Sequence, residues 1–438
     1  MLSGRQGACG ARYALPLERA ADGRLAEQHA AAARQTLEKM AGAKGRPRAM
    51  AAFDDLFAGE WRRQAIEADE RKVVGYFCNF VPDELVLAAG AIPLRLDLGH
   101  GASAEAGGRI LAADVCPEVK ALVGAHLGQL PYMRHADLLV VPTACDGKKK
   151  LAWLLGEQRE VWLMQLPQSR EGTASRRQWL EEIRALARRL EQLTGRRIRR
   201  RALREAVELV NRRGRLARRI NELRFEDPRR LNGRDAFLVM QATFIADPVW
   251  WVEHAEALVR EMEGADPAGE QPAGEQPARR DFGRSAPARV LLTGSPVLFP
   301  DFQLLQLVEE SGAAVVVADE MCSGTQRLHN LTVLDEGTVG GMLRAAAEKT
   351  LMPCTCPCFV GGDLRVDRVL ELASQSAARG VIHHTLRLCQ LYDLDAPRLA
   401  EALRRRGLPM LTLHTEYGGE GAATLRNRVE AFIEMLEQ

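Results

Sequence analysis

The chain has 438 residues, of which 46% are hydrophobic, 27% charged and 5% aromatic, and its formal net charge is +2. This length favours two or three domains, and the apolar content excludes a disordered or low-complexity protein. No apolar run of about eighteen residues and no secretion signal are present, so we expect a cytoplasmic protein without membrane spans. In a reducing compartment its nine cysteines would not form a disulfide framework.

The N-terminal third predicts an extension followed by a parallel-sheet lobe. Residues 1–48 are rich in Ala, Arg and Gly, and we expect a poorly ordered extension. In residues 49–169, helical patterns alternate with five short β-rich runs: VVGYFC, IPLRLDLG, RILAADVC, DLLVVPTAC and EVWLMQL. Alternation at this spacing is typical of a parallel sheet with helices on its faces.

The middle of the chain, residues 170–263, predicts helices only and is strongly basic. From Arg176 to Arg234 there are twenty Arg against eight Asp and Glu, a balance of +12 in a chain whose remainder carries −10. Such a segment could present a face for nucleic acid or another anion. Amphipathic helices with solvated arginines explain the same pattern, and we favour that interpretation.

A second alternating series follows a linker. Residues 264–288 contain a duplicated AGEQP and are predicted to be a flexible linker. Residues 289–438 again alternate strands, beginning RVLLTGSP, AAVVVADEM, VIHHTLRLC and LPMLTLHTEY, with helices. The predicted fold class is α/β, with two doubly wound, Rossmann-like parallel-sheet lobes joined by a helical segment.

Five cysteines fall at or just beyond the ends of predicted strands: Cys78, Cys116, Cys145, Cys322 and Cys389. Ligands of open α/β sheets collect at the carboxyl ends of the strands. A helix that starts there also stabilises a thiolate, which is the form that binds iron or zinc. The pattern therefore favours a shared cofactor pocket over cysteines that only fill the core.

Spacing alone leaves the type of site open. No CxxC pair exists, and Cys354, Cys356 and Cys358 in MPCTCPC have a spacing that suits neither zinc ribbons nor ferredoxins. Cys145 is followed by Asp146, a candidate helix N-cap, and by three lysines in the helix's first turn. Those lysines indicate either a functional anion or a solvated cluster.

Taken together, these segments resemble the 2-hydroxyacyl-CoA dehydratase and benzoyl-CoA reductase family of iron–sulfur proteins. The resemblance rests on six segments in the family's order: GYFCNFVPDELVLAAGAIPLRL, VCPEVKALVGA, PTACDGKKK, RVLLTGSP…LVEESGAAVVVADEMCSG, GVIHHTLRLCQLYD and GLPMLTLHTEYGGEGAATLRNRVEAFIEML. CDGKKK together with MPCTCP is most similar to the double-cubane branch, whose members are homodimers.

The resemblance implies an iron–sulfur cluster held by Cys116, Cys145 and Cys389, either a single [4Fe–4S] cluster or a sulfide-bridged [8Fe–9S] double cubane. Three ligands leave one iron open for a ligand other than protein. The resemblance further implies a separate ATP-hydrolysing iron–sulfur activator, a homodimer or a heterodimer with a related subunit, and a small-molecule or acyl-CoA substrate. The role of the remaining cysteines stays open, and Cys9 lies outside the match.

Three functions remain in competition. The first is a lyase or oxidoreductase of this family, in which His383, His384, Thr415 or Glu416 could move protons, although we expect both histidines to be structural. The second is a non-catalytic cluster carrier or scaffold. The third is nucleic-acid binding by the basic segment, which we do not expect because it holds too few aromatic residues for stacking.

Overall fold

A computed structural model describes residues 24–43, 45–59, 61–264, 287–418 and 421–437. Cys9 and nearly all of the predicted linker lie outside the described residues, so the predictions for them and for the domain boundaries stay predictions. Within the described ranges, no helix combines the length and apolarity that crossing a membrane would need.

The described chain opens with helices α1 (Leu25–Ala41), α2 (Met50–Ala58) and α3 (Trp61–Glu67). A first lobe follows with β1 (Val73–Tyr76), α4 (Asp83–Ala88), β2 (Ile92–Arg95), α5 (Gly101–Gly108), α6 (Pro117–Leu127), α7 (Pro131–His135), β3 (Leu138–Pro142), α8 (Asp146–Leu155) and β4 (Val161–Met164). The helical segment consists of α9 (Thr173–Thr194), α10 (Arg200–Glu226), α11 (Gly233–Ala242) and α12 (Pro248–Met262). The second lobe consists of β5 (Ala288–Gly294), α13 (Gln303–Glu309), β6 (Ala314–Glu320), α14 (Val339–Leu351), α15 (Asp363–Gln375), β7 (Gly380–Leu386), α16 (Gln390–Arg405), β8 (Met410–Thr415) and α17 (Ala422–Glu437).

Each lobe is built on a four-stranded parallel sheet. The strand order is β2-β1-β3-β4 in the first lobe and β6-β5-β7-β8 in the second. Because the winding reverses between the first and third strands of each lobe, each sheet opens a crevice at the carboxyl ends of those strands. The predicted fold class, two Rossmann-like lobes, is confirmed.

The predicted strand in RILAADVC is wrong. Residues 109–115 form turns between α5 and α6, and no sheet strand passes through them. The preceding small residues form helix α5 instead, which lies against α6 because Gly107 and Gly124 let the two backbones approach. A Cβ atom at Gly124 would lie 1.8 Å from the Ser103 carbonyl oxygen.

Two segments pack outside the lobe in which their sequence position places them. Helix α14 follows β6 but packs on α9, and its buried residues join the core of the first lobe. The Trp179 indole in α9 donates a hydrogen bond to the Ala347 carbonyl in α14, at 3.1 Å. Helix α1, from the predicted N-terminal extension, buries Leu25, Leu37 and Met40 against the body of the protein.

Candidate functional site

The three cysteines predicted as ligands occupy equivalent places in the chain. Cys116, Cys145 and Cys389 are the N-cap residues of α6, α8 and α16. Cys145 follows β3 and Cys389 follows β7, so these two lie at the reversal points of the two sheets. Cys116 follows a loop, which corrects the expectation that all three close a strand.

Each of the three sulfur atoms is placed where helix N–H groups point. Cys145 Sγ accepts a hydrogen bond from the Lys148 N–H at 3.4 Å, so the N-cap is Cys145 and the expectation of Asp146 is wrong. Backbone N–H groups of α6 reach Cys116, and the Tyr392 N–H reaches Cys389. Such donors, with the helix dipole, favour the thiolate over the thiol.

The three thiols are electrostatic neighbours. Burial, together with smaller effects of the neighbouring Glu118 and Cys389, raises the pKa of Cys116 to about 12. Burial likewise raises the pKa of Cys389 to about 11, with Cys145 adding to the effect. Half-buried thiols therefore converge from two lobes, and without a bound cation their raised pKa values keep them protonated at neutral pH.

The other described cysteines continue this group. Cys322, at the end of β6, lies close to Cys356, and Cys356 also raises the pKa of Cys145. Cys78 follows β1, and Cys322 raises its pKa, although burial has the larger effect. A hydrogen bond with Cys358 lowers the pKa of Cys356 despite burial. All eight described cysteines are free, and MPCTCPC reaches the site because α14 packs on the first lobe.

Two backbone positions at the site are in the left-handed region that glycine favours. Cys78 has φ 64° and Leu388, directly before Cys389, has φ 65°. Each lies in a loop at the reversal point of one sheet. Strained residues of this kind persist where the surrounding structure holds them, and they concentrate at functional sites.

A buried charge network underlies the thiols. The Lys148 ammonium lies 2.8 Å from Asp97 Oδ1 and 2.7 Å from Glu118 Oε1. Burial disfavours the charge on Lys148, but the two carboxylates outweigh burial and raise its pKa. Arg95 pairs with Asp97 at 2.6 Å and donates to the Cys322 carbonyl oxygen at 2.5 Å. The network therefore ties α6 and α8 to the loops that carry Cys78 and Cys322.

Sequence reasoning missed Arg95, Asp97 and Glu118. The signal for Asp97 was available, because it lies two residues beyond β2 at the edge of the sheet where the cysteines were found. Glu118 gave no such signal, because an acidic residue in the first turn of a helix such as α6 is already explained by its favourable interaction with the helix dipole.

The two histidines of β7 differ in their hydrogen bonding: both ring nitrogens of His384 have partners, whereas one nitrogen of His383 has none in the described residues. His384 Nδ1 lies 2.9 Å from the Ser295 carbonyl oxygen and Nε2 lies 2.6 Å from the Thr415 hydroxyl, as a structural histidine requires. Burial lowers the pKa of His383 to about 3, and within the described residues its buried Nε2 has no hydrogen-bond partner. Glu416 lies 2.9 Å from Arg387 at the surface.

The donor set fits a polynuclear iron–sulfur group better than a single ion. Within the described residues, no three His, Cys, Asp or Glu side chains stand close enough together to bind one metal ion. Ligands of a cluster bind different iron atoms, so their sulfur atoms stand farther apart than the ligands of one ion. Soft thiols with backbone N–H donors match the chemistry of iron–sulfur ligation.

Comparison with known proteins decides the family. The model of the 2-hydroxyglutaryl-CoA dehydratase D-component family matches residues 78–436, which is most of the chain. The chain belongs to this family.

Similar proteins of known sequence agree with this family assignment. It is 30% identical over 367 residues, 83% of this chain and 91% of the relative, to YjiM of Escherichia coli (strain K12), provisionally named a dehydratase subunit. It is 25% identical over 402 residues, 89% of this chain and 97% of the relative, to a benzoyl-CoA reductase subunit of Thauera aromatica. It is 21% identical over 378 residues, 84% of this chain and 94% of the relative, to the beta subunit of the (R)-2-hydroxyglutaryl-CoA dehydratase of Acidaminococcus fermentans.

The predicted family is therefore confirmed, and the chain is of the general type of dehydratase and reductase components. It remains a prediction that the chain binds an iron–sulfur cluster through the three cysteines, receives electrons from an activator and belongs to the double-cubane branch.

Proposed function

We propose that this chain is the catalytic component of a 2-hydroxyacyl-CoA dehydratase or reductase, and that Cys116, Cys145 and Cys389 hold its iron–sulfur cluster. One observation carries the proposal: three half-buried thiols cap three helices, and Cys389 lies near enough to both Cys116 and Cys145 to share in raising a pKa with each. Scattered structural cysteines would not share this position.

When bound through three thiolates, such a cluster supplies an iron with an open coordination position for low-potential electron transfer to a substrate. The chain's own residues prepare the site. Helix N–H groups point at the sulfur atoms and would stabilise the thiolates that a bound cluster requires. The Lys148 network fixes α6 and α8 relative to each other, which sets the positions of Cys116 and Cys145.

The additional thiols favour the double-cubane form over a single cluster. Cys78, Cys322 and Cys356 are linked to one another, and Cys356 to Cys145, by their effects on each other's pKa. A single cubane with three ligands leaves these buried thiols without a function. A second cubane beside the first uses them.

We further propose that a separate ATP-hydrolysing iron–sulfur activator supplies the electron. The chain has no G-x-x-x-x-G-K-[ST] segment, so the sequence offers no P-loop of its own. The functional unit would be a homodimer, or a heterodimer with a related subunit, that acts in the cytoplasm on a small molecule or an acyl-CoA.

The alternative is a cluster carrier without catalysis of its own. An anaerobic assay with the activator, ATP and a panel of 2-hydroxyacyl-CoA, aryl-CoA and small reducible compounds separates the two. Turnover that requires both ATP and activator supports the enzyme, and a Cys145→Ser variant provides the inactive control. Reversible reduction of the protein without turnover of any compound would favour the carrier.

A further inference from the structure

A small polar cavity of about 40 Å³ lies at the junction between the two lobes. We call it the junction cavity. Its walls come from α4 and the loop before it, from α10, from the loop after β6 and from the end of α14. The volume is enough for a monatomic ion or a few water molecules, and it is far too small for an organic substrate.

Two buried arginines of the wall carry N–H groups that have no acceptor. Arg213 is 2% exposed, and within the described residues its one acceptor is Asp83, which its Nη2 reaches at 2.5 Å. The Nε of Arg213 has no partner there. Arg327 pairs with the same carboxylate through Nη2, and its buried Nη1 has no partner in the described residues either. Buried donors are rarely left without an acceptor, so these N–H groups call for one.

The carboxylates of the wall are engaged by other donors. Asp83 is shared by the two guanidinium groups and also accepts a hydrogen bond from the Tyr76 hydroxyl at 2.6 Å. Glu84 lies 3.1 Å from the Lys349 ammonium and accepts a hydrogen bond from the Thr332 hydroxyl at 2.9 Å. Neither carboxylate therefore satisfies the remaining N–H groups of the arginines.

The charged side chains of the wall, counted together with their partners, do not balance. Three are cationic, Arg213, Arg327 and Lys349, and two are anionic, Asp83 and Glu84, which leaves a charge of +1. A buried net charge costs free energy unless an opposite charge neutralises it. A water molecule would accept hydrogen bonds from the N–H groups and leave the charge in place, whereas a monovalent anion does both.

We propose that the junction cavity binds a small monovalent inorganic anion of the size of chloride, which accepts hydrogen bonds from Arg213 and Arg327. The inference does not rest on the iron–sulfur proposal, because the three proposed ligands, Cys116, Cys145 and Cys389, do not line the cavity.

The bound anion would connect three parts of the chain. Asp83 begins α4 in the first lobe, Arg213 lies in α10, and Arg327 lies in the loop after β6 in the second lobe. The same loop carries Cys322. We therefore expect the anion to stabilise the docking of this loop on the first lobe.

The direct test is a crystal structure of the full-length protein, grown in bromide instead of chloride, with data collected at the bromine absorption edge. Bromide has the charge of chloride and scatters anomalously. We expect one anomalous peak per chain between the side chains of Arg213 and Arg327. A cavity that holds only water molecules, without an anomalous peak, would overturn the proposal.

Thermal unfolding of the full-length protein tests the same site in solution. Chloride replaces gluconate, an anion too large for the cavity, up to 100 mM at constant ionic strength. If this concentration is about a hundredfold above the dissociation constant, the midpoint of unfolding should rise by about 3 °C. No rise would overturn the proposal.

Two variants remove the unpartnered N–H groups and keep a cation beside Asp83. Arg213→Lys and Arg327→Lys should each lose at least about half of the rise caused by chloride, because lysine lacks the fork of N–H donors. The control is Arg212→Lys, at an exposed position of α10 outside the cavity, which should show the full rise.

Circular dichroism checks that each variant is folded. If one of the two cavity variants is not, the other decides, and the bromide structure of the wild type decides if neither is folded. A rise equal to that of the wild type in folded Arg213→Lys and Arg327→Lys would overturn the proposal.

Discussion

The ammonium group of Lys148 lies 2.8 Å from Oδ1 of Asp97, and both side chains are almost completely buried. Lys149, the next residue, is exposed and pairs with the solvent-facing Asp146. Two adjacent lysines of one motif therefore have opposite environments, and only the buried one connects α8 to the rest of the site.

Replacing Lys148 by Met should lower the free energy of unfolding by about 3–5 kcal/mol, because Glu118 would lose its cation and Asp97 would keep only Arg95. Lys149→Met is the matched control and should change it by less than about 0.5 kcal/mol. Anaerobic urea unfolding measures both. Equal effects of the two substitutions would contradict the role of the buried network.

Gly124→Ala should destabilise the protein although alanine is the better helix former. The added Cβ would lie 1.8 Å from the Ser103 carbonyl oxygen, which must push α5 away from α6 at a cost of about 1–3 kcal/mol. Because α6 begins directly after Cys116, the iron content should fall as well.

The control for this substitution is Gly340→Ala in α14, where, apart from the adjacent residues and the helix's own backbone, no atom of the described residues lies within 4 Å of the new Cβ. It should leave stability unchanged or raise it by up to about 1 kcal/mol. Thermal unfolding followed by circular dichroism compares the two variants. A loss of stability in Gly340→Ala equal to that in Gly124→Ala would show that packing of α5 on α6 is not the cause.

The buried carboxylate of Asp83, at the junction between the lobes, should make the free energy of unfolding depend on pH. Burial opposes its ionisation, but Arg327 and Arg213 outweigh burial and hold its pKa well below the usual range. A carboxyl group with a lowered folded pKa stabilises the fold above its unfolded pKa of about 3.9, and this contribution is lost as the pH falls below it.

Asp83→Asn should therefore cost about 3–5 kcal/mol at pH 7, and the difference from wild type should shrink as the pH falls below about 4. Urea unfolding at a series of pH values measures this, with Glu253→Gln at an exposed position of α12 as the control. A difference that stays constant down to pH 3 would contradict the assignment of this ion pair.

The fold was predictable because its strands are short, continuous apolar runs bounded by turn residues, as in DLLVVPTAC. The failure at residues 109–115 has a physical cause. Helix α5, GASAEAGG, has no apolar periodicity and forms because its small residues let α6 approach, a contact that depends on tertiary structure. The turns that follow it carry apolar residues that mimic a strand.

The site was predictable in part for a similar reason. The edge of a sheet follows from strand direction, so the convergence of Cys145 and Cys389 could be expected. The partners of Lys148 could not, because Asp97 and Glu118 are 51 and 30 residues away. Nor could the place of Cys356, which depends on α14 packing on the first lobe rather than on its own.

The basic segment from Arg176 to Arg234 should not bind nucleic acid. Its buried arginines, Arg213 and Arg224, have partners inside the fold, and exposed ones such as Arg212 pair with acidic side chains of neighbouring helices. Filter binding with DNA and RNA at low salt should show no retention. Binding that weakens steeply with added salt would contradict this prediction.

Cys145→Ser should lose most of the bound iron, and Cys116→Ser and Cys389→Ser should behave in the same way, since each removes one of three proposed ligands. Cys9→Ser, outside the family match, should keep the iron content of the wild type. Colorimetric iron analysis after anaerobic reconstitution measures all four. Full iron in both Cys116→Ser and Cys389→Ser would show that the ligands are other residues.

The most direct test of the proposed function is the iron and acid-labile sulfide content of the anaerobically reconstituted wild type, read together with its dithionite-reduced EPR spectrum. We predict a brown protein with about eight irons per chain for a double cubane or about four for a single cluster, and the EPR signal of a reduced iron–sulfur centre. A colourless, iron-free and EPR-silent protein would contradict it.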